Sequence, residues 1–198
     1  MSHRFASGPV ASPLAVTILV LPGSSLMSLA ATVEPWRALN RLSPELRADW
    51  RLVSLDGGPV LLSSGMPFAV QGPLGPDLSG DLLAIIGGID ALEHARPALG
   101  MLRGLVRRFA RVAGIESGAW VLGGLGLLEG RRATAHWEDH EEFLLRHPGV
   151  DVRPDRWVAD GPVLTAGGGL ARPRPDAASD PRALGTGGGS RGGQRLCL

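Results

Sequence analysis

Lysine and tyrosine are absent from this chain of 198 residues, and its 20 basic residues are all arginine. Cysteine occurs once, as Cys197, which rules out an internal disulfide. Charge of either sign is not in excess: the formal net charge is +1, so bulk electrostatics argues for neither nucleic acid nor membrane as a partner. The apolar run Val16–Leu21 is too short to span a bilayer. No charged start followed by a small-residue cleavage site marks a secretion signal. A reducing cytoplasm is the expected location. Glycine (29) and proline (16) are plentiful; with the arginine-only base content this reads as GC-rich coding bias. The length predicts one domain with a true hydrophobic core.

The apolar pattern alternates between two kinds of segment. Ala15–Leu21 (AVTILVL) and Leu82–Ile86 (LLAII) are continuous apolar runs, as expected of strands buried on both faces. Trp50–Leu55 reads as a further strand, and Val60–Leu62 with Phe68–Val70 as a hairpin around Ser63–Pro67. Leu26–Leu42 carries Leu26, Leu29, Val33, Trp36 and Leu39 at helical spacing, with Pro35 expected to kink or restart the helix. Pro97–Ala110 sets Leu99, Leu102, Leu105, Val106 and Phe109 against Arg103, Arg107 and Arg108, a second amphipathic helix. Val112–Ile115 and a helix to Leu128 form another β–α unit. A short strand at Ala133–Ala135, a helix at Glu138–Arg146 and strands at Trp157–Val158 and Val163–Thr165 complete the series. Strands alternating with helices predict an α/β three-layer sandwich with a mostly parallel central sheet. Residues 1–13 are expected to form a flexible arm. Residues 169–198, rich in Gly, Pro, Arg and Ser and without hydrophobic period, are expected to be disordered.

The most informative stretch is Arg111–Trp137, RVAGIESGAWVLGGLGLLEGRRATAHW. A strand runs through a tight Glu116–Ser117–Gly118 corner into a small-residue helix. Hydrolytic α/β folds present a nucleophile in this way, yet Glu116 is no nucleophile for acyl chemistry. The glycines of Gly123–Gly130 are not a phosphate loop, because no Lys-Ser/Thr follows; close helix packing and a turn explain them. The run His136–His140 offers no third ligand, so no metal site is expected.

GIESGAWVLGGLGLLEGRRATAHWED (Gly114–Asp139) resembles the amidotransferase-like sensor domain of AraC-type transcriptional regulators, the GlxA-like group within the PfpI/ThiJ-like superfamily. SLAATVEPWRALNRL (Ser28–Leu42), WRLVSLDGGPVLLSSG (Trp50–Gly65) and VDVRPDRWVADGPVLTAGG (Val150–Gly168) match it in the same order, so the resemblance covers residues 14–168. It implies a class I glutamine amidotransferase-like (flavodoxin-like) fold and a small-molecule sensor. It also implies a homodimer, and DNA contact only through a helix-turn-helix domain that does not follow residue 168 here. The joint loss of periodicity and resemblance after Gly168 suggests a truncated or out-of-frame end. An intact DNA-binding domain in another frame of the locus would support this, and a clean unrelated gene end would refute it.

In enzymatic members of the superfamily a cysteine occupies the corner, a histidine follows the next strand and a carboxylate often comes from the loop after the first strand. By that correspondence Glu116 replaces the cysteine and His136 matches the histidine, while the loop Ser24–Ser28 offers hydroxyls only. Glu116 can serve as a cap at a helix N-terminus or reach into the former catalytic pocket as a cation-binding carboxylate. Trp120 and Trp137 would border such a pocket, or Trp120 would pack in the core. Gly87 and Gly88 either let a ligand approach the backbone or simply turn the chain. His136 contacts the ligand or is a hydrogen-bonded structural residue, and Ser117 adjoins Glu116. A carboxylate beside indole faces suits an amine or quaternary ammonium group, and relatives acidic at this corner resemble regulators of carnitine, glycine betaine or arginine catabolism. The expected ligand-binding set is therefore Glu116, Ser117, His136, Trp137, Trp120, Gly87 and Gly88, with no cofactor, no metal and no catalysis. A PfpI/ThiJ-like hydrolase or chaperone-type enzyme, and a non-functional truncated product, are the rival readings.

Overall fold

A computed structural model describes residues 12–43 and 45–168. The expected arm, up to residue 11, and the expected tail lie outside them. Six strands form the central sheet in the order β2-β1-β5-β6-β10-β9. They are β1 (Leu14–Val20), β2 (Ala48–Val53), β5 (Gly80–Gly87), β6 (Phe109–Glu116), β9 (Trp157–Asp160) and β10 (Val163–Ala166). The first five in spatial order run parallel, and β9 pairs antiparallel to β10 at the edge. Two small ribbons flank the sheet: β3 (Val60–Leu61) with β4 (Pro67–Phe68), and β7 (Arg132–Ala133) with β8 (Asp151–Val152).

The continuous apolar strands are explained by the two faces they serve. Val16, Ile18 and Val20 of β1 point to one side with Ala84 and Ile86 of β5 and Ala113 of β6. Leu19, Leu83, Ile85, Val112 and Val163 point to the other. Registration carries this across the sheet: Leu83 lies beside both Thr17 and Val112, and Val112 beside Val163. Alternation of period 2 with both phases apolar requires cover on both faces. The first face packs on α1 (Leu26–Leu42) through Leu29, Val33 and Trp36. The second packs on four helices: α2 (Ala91–Ala95), α3 (Leu99–Leu105), α4 (Gly118–Gly124) and α5 (His140–Arg146). On the α1 side Ile115 and Leu164 stay half-exposed.

Helix α1 runs unbroken through Pro35, against the expected kink or restart. Proline removes the hydrogen bond to the carbonyl four residues earlier. Ala31 and Pro35 are both on the exposed side, so water can take the freed carbonyl. Asn40 then ties the helix to β2, donating to the Ala48 carbonyl at 2.8 Å and accepting from its N–H at 2.7 Å.

A second expectation fails at Pro97–Ala110. The helix there is α3 alone; residues 106–108 form a 3₁₀ turn, and Phe109 begins β6, paired with Gly80. Phe109 is buried in either case. An apolar residue at helical spacing beside a strand cannot tell the two periods apart, and pairing with β5 decides it. Smaller shifts follow the same logic: α4 stops at Gly124 rather than Leu128, with Gly126 at φ 76° turning the chain out. Helix α5 begins at His140 rather than Glu138, and α2 and β8 were not anticipated. The hairpin expected around Ser63–Pro67 is present, with Val60 opposite Phe68.

Candidate functional site

The corner after β6 depends on missing side chains. A Cβ at Gly114 would lie 2.8 Å from the Gly118 carbonyl, and one at Gly118 would lie 2.1 Å from the Ile85 carbonyl oxygen. Only glycine lets α4 rise this closely off the strand that precedes it and off β5. Glu116, the last residue of β6, sits opposite Gly87 of β5 with φ 53°. A non-glycine residue at positive φ is uncommon, and such strain concentrates at functional positions. The strand-turn-helix geometry expected at a nucleophile's position is thus present, with a carboxylate at its apex.

That carboxylate is half-buried. It accepts a hydrogen bond on Oε1 from the hydroxyl of Ser28, itself 1% exposed in the first turn of α1. The resemblance implies a carboxylate from the loop after the first strand; here Ser28 offers a hydroxyl from this side, and the acid stands on the corner. The first turn of α1 also presents the positive end of a long helix to the anion. Among the described residues no arginine or histidine lies within ion-pair distance of Glu116.

His136 comes to the same place from the other side. A Cβ at Gly168 (φ 104°) would lie 3.0 Å from Glu116 Cγ, 3.2 Å from its Oε1 and 3.4 Å from His136 Cδ2. Glu116 and His136 therefore both flank the space that a side chain at position 168 would fill, just past the end of β10. His136 Nδ1 is 3.7 Å from Glu138 Oε2, and its ring centroid is 5.6 Å from that of Trp137. Trp137 is 36% exposed, so part of its side chain is open to solvent beside the histidine.

Ser117 and Trp120 turn away from this space. The Ser117 hydroxyl donates to Asp139 Oδ2 at 3.2 Å, and Trp120 Nε1 donates to the same oxygen at 3.0 Å. The Trp120 ring meets Phe143 edge-on at 4.9 Å. Both residues line a separate cleft of about 260 Å³ between α2 and α5, with Ile89, Asp90, Glu142 and Arg146. Placing Trp120 beside Glu116 by helical spacing is thus corrected: one turn of α4 rotates it toward α5, where an aromatic edge and a carboxylate hold it.

Gly87 and Gly88 are demanded by the protein's own packing. A Cβ at Gly87 would lie 2.4 Å from that of Ala91, and one at Gly88 would lie 1.9 Å from the Gly23 carbonyl oxygen. The conformational freedom read there as room for a ligand is used to bring β5 onto the loop before α1. The glycines of α4 likewise serve packing: Gly123 abuts the His147 ring and Gly124 abuts Leu92.

The run His136–His140 scatters its side chains. Asp139 faces α4, and His140 Nε2 lies 3.1 Å from the Ala135 carbonyl and 3.3 Å from Thr134 Oγ1. Among the described residues no three metal-ligating side chains converge, and no helix is long and apolar enough to cross a membrane. Two site residues were missed in the sequence. In the sequence Ser28 stands out only as one of several loop hydroxyls. Asp139 stands out only as part of the run His136–His140, because nothing in local spacing reveals which acid a distant indole will choose.

The DJ-1/PfpI family model matches residues 16–173. The HTH-type transcriptional regulator CdhR of Pseudomonas aeruginosa is 43% identical over 154 residues, which is 77% of this chain and 46% of that protein. The HTH-type transcriptional regulator GlxA of Rhizobium meliloti is 34% identical over 160 residues, 79% of this chain and 49% of that one. The chain thus spans about half the length of these curated relatives. Among solved structures, an AraC family transcriptional regulator from Pseudomonas putida superposes with a TM-score of 0.68 at 24% identity, covering 84% of this chain and 86% of that one, which establishes the shared fold.

Proposed function

This chain belongs to the DJ-1/PfpI family, and we propose that it is the ligand-sensing domain of an AraC-type transcriptional regulator, recognising a small amine or quaternary ammonium metabolite without catalysis. The observation that carries this reading is the half-buried Glu116 carboxylate, held by a neutral hydroxyl and, among the described residues, facing no cation. A carboxylate offers about four acceptor positions to donors or a cation. One donor from Ser28 leaves room for a cationic ligand to supply the rest.

His136 and Trp137 complete the recognition side. The partly exposed indole offers cation–π attraction of about 0.5–2 kcal/mol to a positively charged group. Ser117, Trp120, Gly87 and Gly88 support the site from behind rather than line it. An acyl-transfer enzyme is disfavoured because a carboxylate stands where enzymatic members carry the cysteine, and the hydroxyl bonded to it, Ser28, is 1% exposed and closed to a substrate. Longer relatives such as CdhR and GlxA carry about as much chain again outside the matched part. In this reading DNA is reached only through such an additional domain, and the sensor associates as a homodimer in the cytoplasm.

A thermal-shift screen of carnitine, glycine betaine, choline and basic amino acids tests the proposal. A stabilising compound is expected, with its effect reduced in Glu116→Gln and in Trp137→Ala. A screen in which no cationic compound raises the melting temperature, or in which Glu116→Gln responds like the parent, contradicts the ligand class. Turnover of amides or reactive aldehydes that is lost in Glu116→Ala would favour the enzyme instead.

A further inference from the structure

We propose that Asp139 is a positioning residue that holds the two halves of the candidate site in register, an inference that rests on the ligand-site reading above. The halves belong to different parts of the fold. Glu116 ends β6, a central strand of the main sheet. His136 and Trp137 lie between β7 and α5, and β7 pairs with β8 in a ribbon of its own, outside the main sheet. No strand ladder therefore fixes His136 relative to Glu116.

Asp139 supplies the missing tie at the far end of that segment. Its Oδ2 accepts from Ser117, the residue after Glu116, and from Trp120, one turn along α4. Its own N–H donates to the His136 carbonyl at 2.9 Å, closing the turn that carries Trp137 and Glu138. Its carbonyl accepts from the Phe143 N–H at 2.7 Å, and the Phe143 ring meets Trp120. At the near end the Thr134 N–H donates to Thr165 Oγ1 of β10 at 2.7 Å. The three residues from His136 to Glu138 are thus slung between one anchor on β10 and one on α4. One carboxylate oxygen shared by a hydroxyl and an indole N–H is a charge-assisted pair of bonds, stronger than neutral ones. Ser117 is 9% exposed, and the tie forms part of the wall of the cleft between α2 and α5.

The test uses the full chain without ligand and reads the His136 ring and Trp137 indole resonances by NMR. In Asp139→Ala both resonances are expected to shift by more than their line widths or to broaden. Trp120→Phe keeps an aromatic ring against Phe143 and removes the indole donor; it is expected to produce a smaller change in the same direction. Asp139→Asn, whose side-chain carbonyl still accepts, is expected to keep the parent positions. Unmoved His136 and Trp137 resonances in both Asp139→Ala and Trp120→Phe would overturn the proposal. So would changes as large in Asp139→Asn as in Asp139→Ala. If Asp139→Ala does not fold, Trp120→Phe and Asp139→Asn decide the matter. No ligand enters these measurements, so their failure is separate from a failure of the amine screen.

Discussion

Ser28 and Glu116, 88 positions apart in sequence, meet at the carboxyl edge of the sheet, where the serine hydroxyl donates to the glutamate Oε1. The bond joins the first turn of α1 to the corner after β6, and so links the two faces of the sandwich at the point where open α/β sheets bind ligands.

Removing the donor tests that link. Ser28→Ala leaves a half-buried carboxylate without its side-chain partner and is expected to lower stability by about 2 kcal/mol, the usual range for a bond to a charged group. Urea unfolding should show a lower midpoint with an unchanged slope. A midpoint equal to the parent's would mean that Glu116 is satisfied elsewhere.

The glycines divide into those the fold requires and those it merely tolerates. Gly118→Ala sets a Cβ 2.1 Å from a backbone oxygen, which no side-chain rotation relieves; a loss of about 3 kcal/mol or more is expected. Gly104→Ala, inside α3 with open space around it, should gain about 0.5–1 kcal/mol from helix propensity. Paired denaturation curves check both. A tolerant Gly118→Ala would mean that the corner is looser than the close approach of α4 to β5 implies.

The contrast also marks how far the sequence could be read. The parallel sheet was legible because Ala15–Leu21 and Leu82–Ile86 are apolar in both phases, which only a doubly covered strand tolerates. The corner at Glu116 was legible because small residues flank it on both sides. The partition of the site was not. Trp120 falls near Glu116 in sequence, and only the rotation of α4 and the position of Asp139 on a distant loop send it to the other side. Phe109 failed for a related reason, since a buried aromatic fits the end of a helix and the start of a strand equally well. Gly87 and Gly88 signalled close approach correctly but could not say to what; the partners are Ala91 and Gly23.

His147 supplies a pH dependence. Its ring packs on Phe143 at 4.7 Å and against Gly123. Burial lowers its pKa below the usual value, opposed by the charge of Glu129 and assisted by that of Arg146. The folded state therefore binds this proton more weakly than the unfolded chain does. Stability is expected to be level above about pH 6.5, the ordinary histidine value, and to fall as the pH drops below it, because there the unfolded state holds more protons. His147→Gln should flatten that part of the profile of urea midpoint against pH. An unchanged slope in the variant would assign the dependence to other groups.

The proposed function turns on recognition of a cation by Glu116. Isothermal titration of choline, or of the strongest compound from the amine screen, into the parent chain and into Glu116→Gln tests it most directly. The substitution keeps the size and one acceptor oxygen for Ser28, turns the other oxygen into an NH2 donor and removes the charge. Measurable binding by the parent is expected, with about a tenfold or greater loss in the variant, equivalent to about 1.4 kcal/mol or more. Equal affinity in the two proteins would contradict it.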